Sequence, residues 1–189
     1  MKLGKTLYVT NYKAWRAWLL KNHAREKEVW LIYYKKSSGK PRISYNDAVD
    51  GALCFGWIDS IAKSMDDERF AQRFTPRRNT SQLSQLNKER ILKLIAKKKM
   101  TKAGLAAVAH VFKVDDDHEK FHMPKYILAA IKKNEKAWAN FQKLPESYKR
   151  IRIAYIKDRG EWSREQLRKS LEYFIKKTAE NKRIGFVRE

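Results

Sequence analysis

At 189 residues, with 43% hydrophobic and 12% aromatic side chains, the chain is long and apolar enough for one domain, or one domain with a helical appendage. A single cysteine excludes an intrachain disulfide, no apolar run reaches the ~18 residues of a membrane span, and no apolar signal core follows the basic Met1–Lys5, so a cytoplasmic protein is expected. The net charge of +22 invites a polyanion, but the cations are dispersed along the chain apart from Lys97–Lys99 and Lys149–Arg152, as on any solvated basic surface.

Leu7–Val9 reads as a short strand, and Thr10 as the cap of a helix whose Tyr12, Trp15, Trp18 and Leu19 share one face. His23 reads as a surface residue. The run Val29–Tyr34 has the length and the branched and aromatic content of a strand covered on both faces. Ser44, with Asp47 three residues on, opens a helix carrying Val49, Ala52 and Leu53, and Gly56 ends it. The period then changes from helical to two. Trp57–Ser64 and Phe70–Thr75 read as a hairpin, with a polar turn over Met65–Arg69 and a stop at Pro76.

A turn centred on Asp67 pairs Ser64 with Phe70, Ala62 with Gln72, Ser60 with Phe74 and Asp59 with Thr75. Ile58, Ala62, Phe70 and Phe74 then form a core face. Trp57, Asp59, Ile61, Arg73, Thr75 and Arg77 form the other, with Asp59 within reach of Arg73 and Arg77. Two readings stand for that face. It is a pocket in which Asp59 orients two arginines toward an anion, with Tyr45 and Trp57 shaping the walls, or it is a structural ion pair on a solvated surface.

Ser81 or Ser84 caps a helix with Asn87, Ile91, Leu94 and Ile95 on one face. Asn87 there needs polar partners, either in the preceding loop or in a ligand. Lys97–Lys99 complement the C-terminal dipole of that helix, and Thr101 caps another that runs toward Phe112. Residues 114–123 hold Asp115, Asp116, Asp117 and Glu119 with His118 and His122. The ordered calcium-loop spacing is absent and Pro124 opposes a helical His pair, so a solvated linker is expected and no metal site. Beyond it, apolar stripes over Tyr126–Ile131, Ala137–Phe141, Tyr148–Tyr155 and Leu167–Ile175 predict four helices, the last capped by Ser163 with Gln166.

The expected fold is α+β: a small antiparallel sheet packed with helices over residues 1–113, the acidic linker 114–123, and a mainly helical segment over 124–189. No nucleotide-binding glycine loop, hydrolase elbow, zinc motif or CxxC pair occurs, so no cofactor is expected. Cys54 lacks a nearby base and reads as a small buried hydrophobe. Arginines beside Asp59 would make it a poor general base.

ALCFGWIDS from Ala52, FTPRR from Phe74 and MTKAG from Met100 resemble the YdeI/OmpD-associated, or bacteriocin-protection, family. W-x-x-WL at Trp15, VWL at Val29 and SY-x-x-A at Ser44 extend that resemblance over residues 10–112. Leu144-Pro145-x-Ser147 marks it within 124–186. Two positions depart from the family pattern: Leu83-Ser84 stands where Trp-Ser is usual, and Lys98 where a glycine is expected. The resemblance implies a stress-resistance or bacteriocin-protection role and no established reaction. The leading expectation is a non-enzymatic module that binds a small anionic ligand or a protein partner through Tyr45, Trp57, Asp59, Arg73, Thr75, Arg77 and Asn87. The alternatives are a non-specific nucleic-acid binder using the basic surface and an enzyme centred on Asp59 and Cys54.

Overall fold

The computed structural model describes residues 3–78, 82–110 and 123–185. The chain divides into two compact units, one of residues 1–82 and 90–113, the other of residues 83–89 and 114–189.

The first unit is built on a four-stranded sheet. Its strands are β1 (Thr6–Leu7), β2 (Val29–Tyr34), β3 (Trp57–Ser64) and β4 (Arg69–Pro76), in the order β1-β2-β4-β3. The apolar run of β2 lies between β1 and β4, and Val29, Trp30, Leu31 and Tyr33 are all buried. The hairpin forms as its period-two pattern predicts, with Asp66 accepting the Glu68 and Arg69 amides across the turn. The sheet is mixed rather than antiparallel, because β1 pairs with β2 in parallel. A two-residue strand gives almost no sequence signal, and its direction is set by α1, which carries the chain over the sheet between them.

Helix α1 (Tyr12–Asn22) is capped by Asn11, whose side chain accepts the Ala14 amide, one residue after the predicted Thr10. Helix α2 (Tyr45–Cys54) is capped by Ser44, which accepts the Asp47 amide. The Trp15 and Trp18 rings stack 5.4 Å apart; Trp15 reaches Phe74 and Trp18 meets Trp57 edge-on. Trp15 is wholly buried and donates its Nε1–H to the Ala48 carbonyl at 2.9 Å. An indole buried this way satisfies its polar edge and adds roughly 1.5–3 kcal/mol of burial.

Helix α3 (Gln85–Ala96) ends in a Schellman arrangement, with the Lys98 amide on Ile95 and the Lys99 amide on Leu94. This puts Lys98 in the left-handed region, at φ 53°. The glycine that the resemblance leads one to expect at this position would have a conformational reason. Lys98→Gly is expected to stabilise the fold by about 0.5–1 kcal/mol, read as a higher urea midpoint. Helix α4 (Lys102–Ala106) is capped by Thr101, which also donates its hydroxyl to the Cys54 carbonyl at 2.7 Å. It is shorter than predicted, and the Phe112 end of that prediction lies outside the described residues.

The second unit contains α5 (Lys125–Lys132), α6 (Glu135–Gln142), α7 (Glu146–Trp162) and α8 (Arg164–Ala179). The predicted stripes supply its core of Ile127, Ile131, Phe141, Tyr148, Ile153, Ile156, Leu171 and Phe174. Helix α7 continues to Trp162 through Gly160, whose missing side chain leaves room for Leu167 of α8. Asn140 donates to the Thr178 carbonyl at the end of α8, and the Tyr148 hydroxyl accepts the Ile184 amide. The acidic linker, except for Met123, lies outside the described residues.

Candidate functional site

Strand pairing decides which side chains can meet. The lower hairpin keeps the predicted register, with Ser64 opposite Phe70 and Ala62 opposite Gln72. A bulge between Asp59 and Ala62 then shifts the upper half by one residue: Asp59 lies opposite Phe74, Ile58 opposite Thr75 and Trp57 opposite Pro76. Residues directly opposite share a face, so Trp57 and Asp59 join Phe74 and Gln72 on the side covered by α1 and α2. Arg73, Thr75 and Ile58 are on the other side. The predicted cluster of Asp59 with Arg73 and Arg77 is therefore not formed. One extra residue in the strand separates what an even register would bring together.

Each half finds other partners. Asp59 accepts a hydrogen bond from the Tyr45 hydroxyl at 2.8 Å. The buried Tyr33 hydroxyl lies in the same neighbourhood. Burial and the Asp59 charge hold the Tyr33 phenol far above its ordinary range, and burial with the Asp59 bond does the same for Tyr45. Trp57 is buried and donates its Nε1–H to the His23 carbonyl at 3.1 Å, so its role is in the core. His23 is half-buried, with its ring 5.1 Å from Phe55, rather than a free surface residue.

Arg77 is also a core residue. Its amide donates to the Gly56 carbonyl at 2.8 Å, its guanidinium reaches the Gln82 carbonyl, and burial pulls its pKa down. It ties the exit of β4 to the start of β3. Asn87 is half-buried in the second unit, where its backbone amide caps on Ser84. Cys54 is wholly buried; its thiol lies 4.0 Å from the Tyr12 hydroxyl, and burial pushes its pKa up, which opposes the thiolate a nucleophile needs.

Two of the predicted residues, Arg73 and Thr75, meet at one cleft. They line a cleft of about 590 Å³ with Pro76 and Arg78 from the end of β4 and with residues 23–27 that follow α1. Arg73 Nε donates to Glu28 Oε2 at 2.7 Å, and Nη2 pairs with the same oxygen at 2.5 Å. Glu28 thus pairs the arginine in the way the sequence suggested for Asp59, using its Nε and Nη2. The Arg73 bonds hold the Glu28 carboxyl below its usual range. The stabilisation from this pair is therefore present above the ordinary carboxylate pKa and fades as pH falls through the lowered one. Arg25, Lys27 and Arg78 complete a cationic rim, and the Glu26 carboxylate beside them pairs with Lys5. Glu28 and Arg25 escaped the sequence reading because they stand about fifty residues before Arg73, in a connector with no periodic pattern. Among the described residues, no cluster of metal-ligating side chains and no helix long and apolar enough to cross a membrane is found.

Residues 7–107 match the family model described as Domain of unknown function (DUF8412). Residues 120–181 match the model described as Bacteriocin-protection, YdeI or OmpD-Associated. The resemblance read from the motifs thus stands on the C-terminal segment, while ALCFGWIDS and FTPRR fall under the first model. No curated protein and no solved structure matches the chain.

Proposed function

Because the chain belongs to the family described as Domain of unknown function (DUF8412) and carries a segment of the bacteriocin-protection family, we propose that it is a non-enzymatic binding module that takes a small anion in the Arg73 cleft. One observation carries this reading: an arginine oriented by Glu28 faces a cleft rimmed by Arg25, Lys27 and Arg78 around the Thr75 hydroxyl. The cleft's size lies within the range of small-molecule sites, and oriented guanidinium groups recognise oxyanions through paired hydrogen bonds. An enzyme centred on Asp59 and Cys54 is the weaker reading, since the carboxylate is engaged by Tyr45 and the thiol is buried.

The test is calorimetric titration with sulfate and with citrate at fixed ionic strength. Saturable binding is expected, and Arg73→Gln should weaken it about tenfold or more, the loss of a charge-assisted bond of roughly 1.5–3 kcal/mol. Thr75→Val should weaken it less. The net charge of +22 favours a second reading, non-specific binding to nucleic acid. That reading predicts duplex affinity that collapses between low and physiological salt and ignores Arg73→Gln. Sulfate and citrate binding unaffected by Arg73→Gln would overturn the cleft.

A further inference from the structure

Arg152, on α7, forms no ion pair among the described residues, while Arg150 on the same helix pairs with Glu89, and Arg168 and Lys169 on α8 pair with Glu172 and Glu165. Its Nε is buried without a hydrogen-bond partner, and its guanidinium lies 4.7 Å from the Tyr155 ring centre. Burial pulls the Arg152 pKa down, the direction expected of a cation removed from water without compensation. Asp158, on the same helix, forms no ion pair with it among the described residues.

A hollow of about 570 Å³ opens on Arg152, lined by Leu86, Tyr155, Lys169, Tyr173 and Ile184, with Ser170 at its side. Gly185, at φ 84°, lets the backbone come so close that a Cβ there would lie 2.6 Å from Arg152 Nη1. The hollow combines an unpaired planar cation with aromatic and aliphatic walls. Lys169 adds little net charge because Glu165 answers it at 2.6 Å. Of the two cations that line the hollow only Arg152 lacks a carboxylate, which suits a monoanion better than a phosphate dianion, and a guanidinium fork matches a carboxylate bidentately. Flat apolar walls suit a ring.

We propose that this hollow binds a small aromatic carboxylate, with its carboxylate on Arg152, the Ser170 hydroxyl beside it, and its ring against Tyr173, Leu86 and Ile184. The site belongs to the other compact unit from the Arg73 cleft and does not depend on it.

The experiment is a titration of the full ¹⁵N-labelled chain with benzoate, acetate and inorganic phosphate, followed by NMR at constant ionic strength. The Arg152 Nε–H resonance is assigned by its absence in Arg152→Gln. Benzoate is expected to shift that resonance and the Ser170 and Gly185 amides saturably, with acetate and phosphate about tenfold weaker or more. Arg152→Gln should abolish the amide shifts, Arg152→Lys should weaken them, and Arg73→Gln should leave them unchanged. Ser170→Phe, which fills the hollow from its rim, should block benzoate even if Arg152→Gln fails to fold. Benzoate shifts that persist in Arg152→Gln or Ser170→Phe, acetate binding as tightly as benzoate, or no saturable shift at all would each overturn the proposal.

Discussion

Replacing Gly56 by alanine is expected to destabilise the sheet unit by about 3 kcal/mol, through two separate causes. The first is local. Gly56 has φ 75°, and an L-residue there pays roughly 1–2 kcal/mol for the approach of its Cβ to the following carbonyl. The second is tertiary. An added Cβ would sit 2.6 Å from the Ala107 Cβ and 3.2 Å from the Ala103 carbonyl oxygen, and overpacking of that kind costs about 1–3 kcal/mol. Neither neighbour can yield easily, because the same helix is pinned to the end of α2. Thr101 donates its amide and its hydroxyl to the Cys54 carbonyl, and a Cβ on Gly104 would collide with that oxygen. Urea unfolding of Gly56→Ala and of the relieving pair Gly56→Ala/Ala107→Gly separates the two contributions. The double variant should recover the packing part and keep the backbone part. A single variant within about 0.5 kcal/mol of the parent would overturn both contributions, since movement of α4 could relieve only the packing part.

These glycines show what was legible in the sequence. Local chemistry was: Ser44, Thr101 and Ser163 cap where they were expected to, Gly56 stops α2, and the hairpin strands begin and end within a residue of the pattern. Such features depend on neighbours a few positions away, and the periods of 2 and 3.6 report them. The parallel β1 was not legible, since two residues carry no period and their pairing is fixed by long-range contacts. The candidate site failed for a narrower reason. Its register was right at the turn and was shifted by one at the bulge after Asp59, and a one-residue slip exchanges the faces of everything beyond it. Nothing in Ser60-Ile61 signals a bulge, because neither residue is a glycine or a proline. The arginine of that strand is paired by Glu28 instead of Asp59.

Arg150→Ala should produce a loss of similar or greater size in the helical unit, about 3–5 kcal/mol. Arg150 donates Nε to Glu89 Oε1 at 2.5 Å and Nη2 to Oε2 at 3.1 Å, a fork on both carboxylate oxygens. Glu89 is only 5% exposed, and its other neighbour, Gln85, offers one amide at 3.0 Å. Truncating the arginine leaves a buried carboxylate with a single neutral donor, and the unmet desolvation of that charge dominates the loss. The attraction within the intact pair is largely cancelled by the cost of burying both ions, so removing both charges together should be far milder. The double variant Arg150→Met/Glu89→Leu is therefore expected within about 1–2 kcal/mol of the parent, and on either side of it. Urea unfolding followed by circular dichroism measures both. The contrast with an exposed pair is sharp: Arg168→Ala, which removes the surface bond to Glu172, should change stability by less than about 0.5 kcal/mol. If Arg150→Ala proved as mild as Arg168→Ala, water would have to reach Glu89 in the folded unit. If the double variant proved as damaging as Arg150→Ala, the two side chains would matter for the volume they fill rather than for their charge.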